Sequence, residues 1–508
     1  MDSLPQTLIK SLKIFEAVEL ELQAVRNLIP PEPWTEALAS KKKEVTAWIS
    51  SMLSSNYRPT GSVLTNAKKA SHGIRPVPTL GLAERVVYRS LVEYILREHR
   101  VGSRTQKDYR DFVIAPIVFA HARSKENKRL EEAQLPTLRN IRYIVESDIT
   151  AFYQYIDHEV LRRELELQTG KTEAVAYLIQ FLAELEGKAY GLPQLLGPSD
   201  DLSEVHIGIM ERDLVRQGLY LWRFNDDFRV ACESYSDALG AIEMLAESAR
   251  AIGLVIADHK TLTPSVRTYV RRALRSEPDT LNADVDLDTA QIELSDYLDP
   301  GGEKTIEEAS TAIRRIALDP SDPQSINLKD IKRDETTILR NALASLTRFS
   351  SDVGLAYMQR LFSFVPSLTP EIAHYLIAMH EGHGEKVEQL WDKLSQRASS
   401  EWQSLWLIYV SRYLGITGGS SSRIDWIRKQ KNKGQGRLIH GEAEIALAMI
   451  SETSFAELDR ALRMESQALA PWYVLAVKQL TKGETAPTDK QIEAVKNSSR
   501  LYRWLLGD

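Results

Sequence analysis

One cysteine, Cys232, stands among 508 residues, which excludes an intramolecular disulfide framework and suits a reducing compartment. Long apolar runs are also missing. No stretch approaches the roughly 18 uninterrupted apolar residues of a membrane span. Met1 to Leu20 mixes charges with apolar residues and lacks an apolar core followed by a small-residue cleavage site, so no secretory signal is expected. An overall positive charge is lacking too. The formal net charge is -6, which taken alone disfavours a nucleic-acid partner. What is present is the composition of a globular protein, 43% hydrophobic and 26% charged. The length allows two or three domains with cores of their own. The charge is unevenly spread. From Tyr57 to Leu130, 15 Lys and Arg stand against 6 Asp and Glu, a local balance of +9. Such a stretch fits a phosphate-binding surface and equally a charged helical face.

Residues 1–56 read as helices, with Leu8, Leu12, Phe15 and Val18 at helical spacing and a break at Ile29-Pro30-Pro31. Residues 57–140 hold the basic region. There Lys68, Lys69 and Arg75 flank a turn at Ser71-His72-Gly73, and Arg75-Pro76-Val77-Pro78 is extended because proline pushes its predecessor out of helical space. A helix is expected from about Leu82 to Arg97. Residues 141–275 alternate strand and helix signals: a strand over Arg142–Ser147 ending in Asp148, helices over Ile156–Gln168, Thr172–Leu185 and Ser236–Ile252, and a strand at Gly253–Ile256. Residues 276–335 turn acidic and polar around Pro300-Gly301-Gly302 and read as a linker. Residues 336–508 consist of amphipathic segments joined by short turns, among them Ile338–Arg348, Ile372–Met379, Val387–Leu394, Trp402–Tyr413 and Phe455–Met464. They show no strict period, but stacked helix pairs are the natural arrangement. Arg423 to Arg437 carries six basic residues and one acid, a solvated loop or a nucleic-acid contact.

The chemistry gathers at Leu221-Trp222-Arg223-Phe224-Asn225-Asp226-Asp227-Phe228-Arg229-Val230. Apolar and aromatic residues flank a polar centre, as in a strand, tight turn and strand. An isolated Asn-Asp-Asp is most often a solvated hairpin. A third acid, Asp148, closes the apolar run Ile144-Val145-Glu146-Ser147. One acid after a strand and two on a hairpin can converge on divalent cations. Hard oxygen ligands suit Mg2+ (or Mn2+), and two such ions can stabilise the attacking and leaving oxygens of phosphoryl transfer. Upstream, Lys68 and Arg75 could meet on a hairpin and grip a triphosphate. The Gly/Pro-rich loop Tyr190-Gly191-Leu192-Pro193-Gln194-Leu195-Leu196-Gly197-Pro198-Ser199 could let backbone approach a ligand or serve as a plain connector.

Taken in order, these blocks resemble a reverse transcriptase over about residues 60–270. Asp148 with Tyr153 looks like the first palm motif and Gly191-Leu192-Pro193-Gln194 with Gly197-Pro198-Ser199 like the second. Phe224-Asn225-Asp226-Asp227 looks like the aromatic-x-Asp-Asp motif, and Gly253-Leu254 through Lys260-Thr261 like the block after it. Lys68 and Arg75 fall where the fingers carry triphosphate-binding residues. Leu195-Leu196 interrupts the usual second block, and no thumb or maturase region follows Thr261. A palm and fingers joined to helices resembles the abortive-infection, AbiK-type reverse transcriptases of bacterial phage defence. The resemblance implies an α+β fold, fingers (57–140) and palm (141–275) followed by an all-α, HEAT-like helical-repeat domain (336–508). It implies Asp148, Asp226 and Asp227 as metal ligands. Tyr153 would be a gate against the 2′-hydroxyl, Gln194 would face the nucleotide, Lys68 and Arg75 would hold its phosphates, and Lys260 would protonate pyrophosphate or be a surface lysine. It further implies dNTPs as substrates and synthesis without a template, primed from a tyrosine such as Tyr57 or Tyr109. The single-stranded DNA product would be covalently attached, and the protein would be a cytoplasmic homo-oligomer with no membrane association. A templated polymerase of a retroelement and a degenerate polymerase fold serving as a scaffold remain as alternatives.

Overall fold

The computed structural model describes residues 4–24, 27–55, 57–69, 73–99, 105–273, 305–317, 333–480 and 486–507. The chain forms two compact units, Met1–Ser90 with Glu303–Asp508, and Leu91–Gly302. The expected 57–140 segment is thus divided between them. Most of the anticipated turn at Ser71-His72 and most of the 276–335 stretch, including Pro300-Gly301-Gly302, lie outside the described residues. Within that stretch the helix Ile306–Ala317 is formed and packs on Arg333–Arg348.

In the larger unit the N-terminal helices share a core with the C-terminal ones. Trp34 meets Trp472 edge to face at 6.3 Å, and Trp48 meets Trp504 at 5.9 Å. Such pairs add about 0.5–1.5 kcal/mol beyond the area they bury. Alternate helices stack on one another: Glu401–Tyr413 on Leu438–Ala448, that on Ala470–Leu480, and that on Arg500–Leu506. Ile372–Met379 and Val387–Leu394, expected as two helices, lie in one, Thr369–Arg397, kinked where His383 leaves helical space (φ -138, ψ 36). The kink follows Gly382 and precedes Gly384, residues that hold a helix poorly. A hairpin of β1 (Val63–Lys68) and β2 (Ile74–Thr79) lies in the same unit, with β1 against Glu401–Tyr413. Pro76 and Pro78 fit β2 because it has a neighbour on one side only.

The smaller unit carries a three-stranded antiparallel sheet in the order β3 (Tyr143–Asp148), β5 (Asp227–Cys232), β4 (Tyr220–Phe224). Ile141, Ile144 and Ala231 pack with Ile117, Ala120, Tyr269 and Val270 beneath it. Ile117 and Ala120 lie on the helix Gln106–Glu132, opened by a capping box of Thr105 and Asp108. Asp157 caps His158–Thr169, Ser234 and Asp237 box Tyr235–Ala251, and Pro198 opens Gly197–Arg216. Gly253–Ile256 does not form the expected strand. It leaves an isolated bridge, Ile149 to Ile256, and the chain then returns along β3 with bridges at Leu262 and Ser265. The ladder breaks because a single helical turn, Asp258–Lys260, lifts the chain away and Pro264 has no N–H to donate.

No helix among the described residues is long and apolar enough to cross a membrane.

Candidate metal and nucleotidyl-transfer site

The sheet register decides which acids meet. Asp148 ends β3 directly opposite Asp227, the first residue of β5, and Asp227 in turn faces Phe224 across the hairpin. The turn between them is Asn225-Asp226. Asn225 adopts φ +57, a left-handed conformation that asparagine tolerates better than most residues. The Ile149 N–H donates to the Asp226 carbonyl at 3.2 Å and fastens the turn to the end of β3. Arg223 holds the hairpin from the other side. It donates to the Asn225 carbonyl (2.9 Å) and pairs with Glu204 (2.8 Å) and Glu211 (2.9 Å) on the helix Gly197–Arg216. Tyr109 and Phe112 pack on Phe224 at 5.3 and 6.0 Å. That support comes from a helix the sequence had not foreseen.

One carboxylate oxygen from each of Asp148, Asp226 and Asp227 lies within 4.8 Å of the others. Like charges directly opposite on paired strands repel. Burial, then Asp148, then Asp227, push the Asp226 carboxyl up to about 6 from 3.8. The side-chain oxygen of Asn225, the residue before Asp226, is buried with no hydrogen-bond partner among the described residues. An all-oxygen donor set, an excess of negative charge and an orphaned acceptor fit a hard divalent cation, which keeps part of its water and takes substrate phosphate oxygens. The Lys260 ammonium, half exposed at the end of its helical turn, lies 2.5 Å from Asp148 Oδ2 and offsets part of that charge.

The other expected residues divide by place. Phe152 is buried and serves as a core aromatic. Tyr153 follows one turn after Asp148, past Ala151 at φ +47, and its hydroxyl donates to Asp200 Oδ1 at 2.6 Å. Asp200, in the first turn of Gly197–Arg216, is a partner that the sequence alone did not single out. Gln194 begins a turn with the inserted Leu195, which takes φ +65. Lys68 and Arg75 belong to the larger unit. Lys68 pairs with Ile74, and Arg75 with Ala67. Side chains alternate along a strand, so the two cations point to opposite faces of the hairpin and do not form the expected common grip. Arg85 is buried, 2.8 Å from Glu32 and over the Trp34 ring, which makes it a packing residue. In the basic stretch 423–437, Arg423, Arg428, Lys431 and Arg437 all pair with carboxylates of neighbouring helices or loops. Tyr57 is buried with its hydroxyl on Glu84, whereas Tyr109 is partly exposed.

No family model matches the chain, and no curated protein matches it. Among solved structures, the chain is similar to telomerase from Candida tropicalis in complex with a fragment of telomeric RNA. The identity is 12%, the TM-score 0.31, and the match covers 77% of this chain and 67% of that one. Telomerase from Candida albicans, also with a telomeric RNA fragment, gives 9% identity and a TM-score of 0.31 over 77% and 70%. A TM-score of 0.31 is too low to assign a fold or a function, and none is drawn from it.

Proposed function

We propose that the smaller unit is a metal-dependent nucleotidyltransferase that polymerises dNTPs, with the reverse-transcriptase-like reading of its motifs as the finer form. The observation that carries it is the convergence of Asp148, Asp226 and Asp227 on one edge of an antiparallel sheet, with their oxygens within 4.8 Å of one another. Divalent ions held there would supply charge stabilisation to the attacking and leaving oxygens of the transferring phosphoryl group. Asp148 and Asp227 hold the two sides of the site and Asp226 its tip. Lys260 would stand where a proton could pass to pyrophosphate oxygen, and its bond to Asp148 holds it in place. The Tyr153 ring, fixed by Asp200, would lie against the sugar and exclude a 2′-hydroxyl. Lys68 and Arg75 remain candidates for phosphate contact as separate residues rather than as a pair.

The finer reading rests on the motif order. It takes the chain as a cytoplasmic, homo-oligomeric defence polymerase that extends DNA from its own tyrosine without a template. The helices of the larger unit would then serve as a HEAT-like scaffold. Of the two tyrosines first considered as primers, Tyr109 has the accessible ring and Tyr57 does not. The test is incorporation by the purified full chain from single dNTPs with Mg2+ or Mn2+, with and without template, beside Asp226→Ala. Incorporation that needs Asp226 supports the enzyme, and no incorporation by a folded parent favours the scaffold. DNA that stays on the protein in boiling detergent supports priming by the chain. DNA that separates and copies an added template supports the retroelement reading.

A further inference from the structure

A pair of tyrosines outside the acid cluster has no structural task. Tyr155 and Tyr190 are 51% and 45% exposed, yet their rings lie within 5° of parallel with centroids 6.4 Å apart. The Lys188 ammonium stands 4.4 Å from the Tyr190 ring centre. The segments that carry them are firmly joined. Gly191 N–H donates to Ile156 O at 2.8 Å, His158 N–H to Ala189 O at 3.2 Å and Leu192 N–H to Tyr153 O at 2.7 Å. The buried His158 ring adds a bond from Nε2 to Gly191 O at 2.7 Å. Gly191 sits at φ +93, where a Cβ would come within 3.2 Å of the Gln154 carbonyl, so the close approach of the two segments depends on glycine. Tyr153 and Gln194 lie on the same two segments as Tyr155 and Tyr190.

Two rigid, parallel, exposed aromatic faces beside a cation make a stacking platform. Every base has a π-face, so such a platform holds unpaired nucleotides whatever their sequence, while a lysine follows the backbone. A duplex keeps its bases stacked inward and offers them no such face. We propose that Tyr155, Tyr190 and Lys188 form a binding site for single-stranded nucleic acid, carrying the strand past the segments that hold Tyr153 and Gln194. With two aromatic faces and one lysine, base stacking is the main attraction and the salt dependence is shallow. The site needs neither metal nor catalysis, and its failure is therefore separable from that of the polymerase reading.

The test is equilibrium binding of a fluorescein-labelled oligothymidylate of roughly twenty nucleotides to the full chain in EDTA, read by anisotropy. Tyr155→Ala and Tyr190→Ala should each weaken binding about tenfold, and Tyr155→Phe should restore it. Lys188→Gln should flatten the logarithmic salt slope by about 0.7. With bromodeoxyuridine in the oligonucleotide, photocrosslinks should fall on Tyr155 or Tyr190. Because both side chains are exposed, the variants should keep the parent's circular dichroism. No binding by the parent at low salt, or parental affinity in the double alanine variant, would overturn the site.

Discussion

The two units treat buried carboxylates in opposite ways. In the larger unit Glu21, Glu442 and Glu444 face cations. Glu21 meets Arg89 at 2.7 Å, Glu442 meets Arg412 at 3.0 Å and the Trp472 N–H at 2.9 Å, and Glu444 meets Lys431 at 2.9 Å. In the smaller unit three carboxylates crowd together, with Lys260 on Asp148 and the Arg229 guanidinium 4.0 Å from Asp227. Compensated charge is compatible with a purely structural role, because desolvation is balanced in place. Crowded like charge that is only partly compensated lowers the stability of the fold and persists where a ligand supplies further positive charge. The contrast adds to one of burial, since the Asp227 side chain is 37% exposed while Glu21, Glu442 and Glu444 are almost fully buried.

Experiments can break that contrast. The largest effect is expected from Asp226→Ala, which should lower dNTP incorporation by roughly a thousandfold or more, on the order of 4 kcal/mol of transition-state stabilisation, with the fold intact by circular dichroism. Glu442→Ala should act on the fold instead. It leaves Arg412 and the Trp472 N–H buried without their acceptor, and should destabilise the larger unit by about 3–5 kcal/mol in urea unfolding. Equal losses of stability from both substitutions would erase the distinction.

Metal-free pH dependence gives the next effect. The Asp226 carboxyl has a folded pKa of about 6, above its unfolded value of 3.8. Between those values the folded chain binds more protons than the unfolded one, so stability falls as pH rises through this window and the loss is complete above it. Asp226→Asn in EDTA should therefore match the parent near pH 4 and be about 2–3 kcal/mol more stable at pH 8. Divalent cation should reverse the order at pH 8. Identical melting of parent and variant at pH 8 in EDTA would mean that the three acids are not in conflict.

Sugar choice should change less. Tyr153→Ala should lower the ratio of dNTP to rNTP incorporation efficiency about tenfold, an effect of roughly 1.4 kcal/mol. An unchanged ratio would make Tyr153 a packing aromatic. Smallest of all, Arg428→Gln breaks an exposed pair with Glu452 and should move stability by less than about 1 kcal/mol. If it instead reduced binding of oligothymidylate, the basic stretch would regain the nucleic-acid role that its internal pairing speaks against.

What could be read in advance follows from how local each signal is. The meeting of Asp148 with Asp226 and Asp227 was legible, because a strand end and an asparagine turn fix where their acids stand. Helices such as His158–Thr169 and Tyr235–Ala251 were legible from apolar periodicity and their capping residues. The opposite facing of Lys68 and Arg75 was not, since a one-residue change of register exchanges the faces and spacing alone does not set it. Nor was the pairing of Trp34 with Trp472, which depends on tertiary packing over more than four hundred residues of chain. Tyr155 and Tyr190 escaped notice for a related reason. Each is an ordinary tyrosine until the backbone bonds around Gly191 set them side by side.

The lone cysteine gives the sheet a built-in clock. Cys232 ends β5, buried opposite Tyr143, and burial pushes its thiol up to about 12. A thiol so protected reacts with an alkylating reagent only when the strand parts from its neighbours, so the rate of labelling counts those openings. Because β5 begins at Asp227, the same strand that frays at one end anchors an acid of the cluster at the other. Labelling with and without divalent cation would report, from a single native atom, whether occupancy of the cluster quiets the breathing of the whole strand.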